Sequence, residues 1–174
     1  QGAIGGWLES YDFNLAHLGR AKARLGRVVE GEADVRRALL NRLKAVGKYN
    51  PDTAYIMSTL AFMLSEQARW AEAEKLLRTT LEVWEAIGYA KMSGGYVGTL
   101  NQLAVSQFSQ RRYQDAKKLF QEVDAAIAGW EPLRRARFQH GWARTFTDYF
   151  TRDLEKGIAS ARELVAIERQ RKGD

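Results

Sequence analysis

The 174-residue chain contains no cysteine, two histidines and two prolines. Without cysteine there is no disulfide, no thiolate metal site and no thiol nucleophile. His17 and His140 stand too far apart in sequence to form a local metal motif, so no metal and no cofactor is expected. No uninterrupted apolar run approaches the ~18 residues that a membrane span needs. The chain opens on Gln1 with no basic-then-apolar leader, the start expected of a processed or excised fragment of a longer protein. No stretch shows the sustained alternation of a β-strand. With 45% hydrophobic and 28% charged residues the composition is that of a folded domain, and a chain of this length buries roughly 70% of its extended surface.

The charge balance is basic, with 27 Lys and Arg against 21 Asp and Glu and a net charge of +6. That excess favours an acidic partner without specifying a fold. The cations come in short clusters such as Arg36-Arg37, Arg111-Arg112 and Lys117-Lys118, with Glu or Asp within a turn or two. Such spacing describes a solvated helix face laced with i,i+4 pairs. A nucleic-acid surface would want aromatic or amide readers beside the charges. None accompanies them, and nucleic-acid binding is disfavoured.

An internal repeat organises the chain. "LAFMLSEQARWAEAEKLL" begins at Leu60 and "LAVSQFSQRRYQDAKKLF" at Leu103, 43 positions later. Both open on Leu-Ala, continue to an aromatic (Trp70, Tyr113) and reach Ala three residues on (Ala73, Ala116). A shift of 42 in the other direction lands on Leu18-Gly19 and Gly31. A fourth, degenerate unit places Leu154, Gly157, Ala161 and Leu164 at related positions; terminal repeats are commonly atypical.

Each unit reads as two helices, with apolar residues at i, i+3, i+4 and i+7. Glycine-containing breaks fall at "GKYNP", "IGYAKMSGG" and "AGWEP". Pro51 and Pro132 suit helix starts, and Asn50 suits the N-cap before Pro51. The pattern predicts helices near 7–26, 28–46, 51–67, 70–87, 93–110, 113–129, 132–150 and 153–171. Small residues recur on the first helix (Gly19, Ala61, Ala104) and twelve positions later on the second (Gly31, Ala73, Ala116). A larger side chain there would hold the helices apart. The expected fold is all-α, a right-handed α-solenoid of about four helix-turn-helix hairpins. Its domain spans 7–171, in units of 7–47, 50–88, 93–129 and 132–171, after a flank of 1–6.

Leu60-Ala61, Trp70, Ala73, Leu77 and their counterparts resemble the tetratricopeptide repeat (TPR). The period of about 42 residues, "NPDTA" at 50–54 and the helix cores "MSTLA" and "LNQLA" resemble its kinesin-light-chain variety. The segment 31–54 also looks like the repeats that precede a caspase-like (CHAT) protease domain in bacterial proteins. Such a protease needs a Cys–His pair, which this chain lacks, so its catalytic domain would lie elsewhere in the parent.

No catalytic constellation accompanies either histidine. No G-x-S-x-G elbow is present, and "SGG" at 93–95 lacks the Lys-Ser/Thr of a phosphate loop and reads as an interhelix loop. The resemblance implies a concave surface lined by the first helix of each hairpin. By register this surface holds Phe13, His17, Arg20 and Arg24 in the first unit. Tyr55, Thr59 and Phe62 follow in the second, and Asn101, Gln102 and Phe108 in the third. Exposed rings on a polar face mark a partner surface, unless Phe62 and Phe108 simply pack on the neighbouring repeat. Asn101 and Gln102 each offer donor and acceptor to a peptide backbone. Arg20 and Arg24 suit an acidic side chain or a terminal carboxylate. His17 on its own reads rather as an imidazole satisfied by a backbone carbonyl. The implied function is a non-catalytic protein- or peptide-binding scaffold, the recognition or regulatory region of a larger bacterial protein. The alternatives are a self-association module, packing through its concave face or end hairpin, and a basic nucleic-acid-binding repeat.

Overall fold

The computed structural model describes residues 2–89, 91, 93–139 and 141–172. Among them nine α-helices follow one another without a strand. They are α1 (Gly2–Arg24), α2 (Val28–Val46), α3 (Pro51–Glu66), α4 (Trp70–Ala86) and α5 (Gly94–Ser109). α6 (Tyr113–Ile127), α7 (Pro132–Gln139), α8 (Trp142–Phe150) and α9 (Leu154–Lys172) complete the series. Hairpins form from α1–α2, α3–α4, α5–α6 and α8–α9.

The same turn closes all four. The N–H of Arg27 donates to Lys22 O at 3.0 Å, Arg69 to Leu64 O at 3.0 Å, Arg112 to Gln107 O at 3.0 Å and Asp153 to Asp148 O at 2.9 Å. The residue before each donor is left-handed: Gly26 (φ 81°), Ala68 (56°), Arg111 (63°) and Arg152 (60°). This is the Schellman stop, which satisfies carbonyls that the ending helix leaves bare. These residues recur every 41–43 positions and fix the phase of all four units.

Two expected boundaries move. The helix expected over 132–150 is broken into α7 and α8, because Gly141 is extended (φ −177°, ψ 142°) and caps α8. The fourth hairpin is therefore α8–α9, with α7 an added short helix that contacts α6. His140 lies outside the described residues. The first helix begins at Gly2 rather than 7; extending a formed helix is far cheaper than nucleating one, even through glycines. The expected loop at "SGG" is a helix start: Ser93 Oγ accepts from the Tyr96 N–H at 3.2 Å. A Cβ on Gly95 would lie 2.6 Å from the Trp84 indole. At Pro51, Asn50 caps as expected, its side chain accepting from the Asp52 N–H at 2.9 Å.

The small residues let the helices touch. A Cβ on Gly19 would lie 2.6 Å from Gly31 O, while Ala61, Ala73, Ala104 and Ala116 are fully buried. In the fourth hairpin the positions hold Thr145 and Gly157, the smaller residue facing the larger. The chain divides into two compact units, Gln1–Thr99 and Leu100–Asp174. In the first, Leu15, Val35 and Ala38 cluster with Ile56, Leu60 and Met63. In the second, Ala104, Phe108, Ala116, Phe120 and Ala143 do so.

Candidate functional site

α1 carries Phe13, His17, Arg20 and Arg24 at i, i+4, i+7 and i+11, a spacing that keeps them on one face. α3 packs beside it and contributes Tyr55 and Phe62. The rings of Phe13 and Tyr55 stack, with centroids 4.9 Å apart and planes 10° from parallel. His17 closes the group at 6.0 Å from Phe13 and 5.9 Å from Tyr55. The Arg20 guanidinium lies 5.4 Å from the Phe62 ring centre, and its Nη1 donates to Tyr55 Oη at 3.5 Å. Phe13, Arg20, Tyr55 and Phe62 are half-buried, while His17 and Arg24 are exposed. The cluster thus joins five expected residues, with Arg24 one turn beyond. Among the described residues no carboxylate pairs with Arg20. A guanidinium over a ring keeps its charge and most of its N–H donors, and the contact is worth roughly 0.5–1 kcal/mol at a partly exposed site.

Thr59 lies under this face. It is 4% exposed, and its hydroxyl donates to Tyr55 O at 3.1 Å. It shapes the helix and offers nothing outward.

The third-unit residues have other surroundings. Phe108 is 9% exposed and packs edge-on to Trp142 (5.2 Å) and tilted against Tyr113 (5.4 Å). Its ring is therefore core. Asn101 is half-buried and lines a small cavity of about 70 Å³ with Val105, Phe138 and Arg144. Gln102 is half-buried, with a buried Oε1 that has no hydrogen-bond partner.

A second surface was legible only as apolar content. Trp142, Phe146 and Tyr149 on α8 stand 59%, 50% and 60% exposed. Beside them a cleft of about 380 Å³ between α8 and α9 is lined by Leu154, Ile158 and Ala161. The spacing i, i+4, i+7 could have singled it out, had the helix been known to end at Gly141.

Comparison with known proteins fits this geometry. Residues 11–86 match the family model described as tetratricopeptide repeat. Residues 11–86 are tetratricopeptide repeats. Among solved structures, TPR-like repeats of a Podosopora anserina protein of kinesin-light-chain type superpose with a TM-score of 0.75 at 17% identity, over 93% of this chain and 77% of that one. A point variant of the same repeats gives 0.74 at 18%, over 93% and 76%. BtubC (BKLC) from P. vanneervenii gives 0.75 at 16%, over 94% of this chain, which spans 65% of that one. No curated protein matches the sequence significantly.

The fold of the whole chain is thus the all-α TPR solenoid fold of those structures. TPR domains are generally non-catalytic scaffolds that bind proteins. Among the described residues no three His, Asp or Glu side chains group as a metal site would need. No helix there is long and apolar enough to cross a membrane.

Proposed function

We propose that the chain is a non-catalytic scaffold, the recognition or regulatory region of a larger protein, and that its α1–α3 face takes an acidic protein segment. The observation that carries this is Arg20: a guanidinium held by Tyr55 and Phe62, with no carboxylate partner among the described residues. An incoming carboxylate completes that group, with a charge-assisted bond stronger than a neutral one. Arg24 and His17 add positive and polar capacity beside it, and the Phe13, Tyr55 and Phe62 rings receive apolar neighbours of the bound acid. Asn101 and Gln102 are proposed as amide contacts for the partner backbone. A bacterial parent, including the CHAT type that 31–54 resembles, belongs to the same proposal.

Protein is favoured over nucleic acid because several of the cations already pair within the chain and no aromatic or amide readers stand beside the basic clusters. Arg27 pairs with Glu30, Arg36 with Glu32 and Arg78 with Glu74. Calorimetric titration with a glutamate-rich peptide, and with a lysine-rich one of equal length, tests the assignment. Binding of the acidic peptide alone is expected, weakened by about 2 kcal/mol on Phe62→Ala or Arg20→Ala and unchanged by Lys75→Ala. Equal behaviour of the two peptides, or of the three variants, removes this face from consideration.

A further inference from the structure

The junction inside the first unit buries two faces against one another. The receiving face, on α1 and α2, includes Ala16, Ala23, Glu32 and Val35, all buried. The incoming face is the row Thr53, Ile56, Leu60 and Met63 on α3, also buried. Ala16, Ala23 and Val35 share one apolar cluster with Ile56, Leu60 and Met63.

The repeat register carries each face to a second place, where it is exposed. One repeat earlier, the incoming row becomes Tyr11, Asn14, Leu18 and Ala21, all exposed. Tyr11 is 52% and Leu18 48% exposed, and Leu25, continuing the row, is 76% exposed. In the last hairpin the receiving face becomes Trp142, Tyr149, Ile158 and Ala161. Its first three members are 59%, 60% and 48% exposed.

Two substitutions along the repeat fit these exposed faces to each other. The first is volume. Inside the chain small Ala16 and Ala23 receive large Ile56 and Met63; at the exposed faces Trp142 and Tyr149 are large while Asn14 and Ala21 are small. Close packing rewards such an exchange, because interiors tolerate neither voids nor overlap. The second is charge. Glu32 accepts from Arg69 of the incoming hairpin at 2.9 Å. In the last hairpin that position is Ile158, and the register counterpart of Arg69 in the first hairpin is Arg27. Arg27 is held in its own turn by Glu30 at 2.9 Å, so no ion pair is required where Ile158 stands.

We propose that α1 of one copy seats on the α8–α9 face of a second copy, repeating between chains the junction that α3 makes with α1 and α2. The Tyr11–Leu18–Leu25 row is the incoming side, and the cleft beside Tyr149 and Ile158 is the receiving side. The two are different surfaces, so the contact is heterologous, and a dimer joined by one such contact leaves one face of each kind uncovered. Further copies can therefore add to the dimer through the same contact. The row lies on another side of α1 from Phe13, His17 and Arg20, so ligand binding and self-association are separable.

Sedimentation velocity across a wide concentration range tests this on the whole chain. The wild type is expected to gain mass steadily with concentration. Leu18→Glu and Ile158→Glu each remove one side and are expected to stay monomeric. Mixed in equal amounts they retain one intact pair of faces and should form a 1:1 dimer and nothing larger. Val165→Lys, at another exposed site on α9, provides a second receiving-side variant, and circular dichroism verifies the fold of each. A wild type that stays monomeric throughout overturns the proposal. So does a Leu18→Glu chain that still associates, which would mean the α8–α9 faces pair with themselves, or a mixture that gives no dimer.

Discussion

The Lys117 ammonium lies 3.0 Å from the Asp153 carboxylate, and this pair is Glu32–Arg69 with its signs exchanged. Glu32 and Lys117 hold the same position on the second helix of their units, and Arg69 and Asp153 the same position in the turn of the next. Glu32 binds Arg69 at 2.9 Å. Opposite signs at equivalent junctions disfavour wrong stacking, since Glu32 meeting Asp153, or Lys117 meeting Arg69, would place like charges together.

That exchange is testable by reversal. Lys117→Glu is expected to lower the urea midpoint, and adding Asp153→Arg to restore it by rebuilding the Glu–Arg form. Asp153→Arg alone should also lower it. Strict additivity of the two single changes would show that the pair does not couple.

Gly19 and Gly157 occupy related places in the repeat but have different surroundings. A Cβ on Gly19 would meet Gly31 O and Val35 Cγ2, each at 2.6 Å, whereas one on Gly157 finds nothing closer than 3.6 Å. Gly19→Ala must push two helix backbones apart and is expected to cost on the order of 1–3 kcal/mol. Gly157→Ala adds no clash and removes glycine's entropic cost in a helix, a gain of roughly 0.5–1 kcal/mol. Chemical denaturation of both variants should give shifts of opposite sign.

The first three units were legible because their apolar period and small-residue pairs coincide. Leu60-Ala61 and Ala73 mark both a helix face and a contact, so one pattern locates two things. The fourth was not, for two physical reasons. Phe138, Trp142 and Phe146 keep i+4 spacing straight through the break at Gly141, so periodicity is blind to it. Arg144 also stands where the other units have Leu60 and Leu103. The turns carry the phase instead, but their left-handed positions hold Ala68, Arg111 and Arg152, which no composition rule flags as it does Gly26. Within the site, sequence spacing grouped Phe13, His17 and Arg20 because they share one helix face. It could not tell that the Phe108 ring is covered, since that depends on Trp142 from a distant helix.

Two carboxylates give the stability a pH dependence of opposite sign. Burial works to raise the Glu32 carboxyl, but hydrogen bonds from Gln67, Arg36 and Arg69 outweigh it and hold it below its ordinary value. Its contribution is complete above the unfolded-state value and lost as pH falls through the folded one. Burial raises Asp148, with only partial relief from Lys156, and its Oδ2 has no partner. Its ionised form opposes folding at neutral pH, and that opposition fades as pH falls through its raised folded value. Asp148→Asn is therefore expected to raise the urea midpoint at neutral pH and to lose that advantage on acidification. Glu32→Gln should lower the midpoint at neutral pH, with the deficit vanishing in stronger acid. Parallel pH profiles for the variants and the wild type would contradict both assignments.

Arg144 gives the sharpest test of what the fourth unit gave up. It is 7% exposed at the position that Leu60 and Leu103 fill with 5% and 1% exposure. Its Nη1 donates to Asp124 at 2.7 Å and its Nη2 to Phe120 O at 3.2 Å, while its guanidinium stacks 4.7 Å from the Phe120 ring. The Nε is buried without a partner. A buried cation costs several kcal/mol in lost hydration, and its partner returns about as much, so the pair contributes little net stability. Removing one member is different, because the other is left uncompensated. Asp124→Ala is expected to lower stability by about 3 kcal/mol. Arg144→Leu restores the repeat's own residue beside a partly solvated Asp124 and should leave the midpoint unchanged or raise it. Adding Arg144→Leu to Asp124→Ala should recover most of the loss. If Arg144→Leu instead destabilises as much as Asp124→Ala, the guanidinium is a net contributor that packing cannot replace, and the fourth unit is held together by charge rather than by the apolar contacts of the other three.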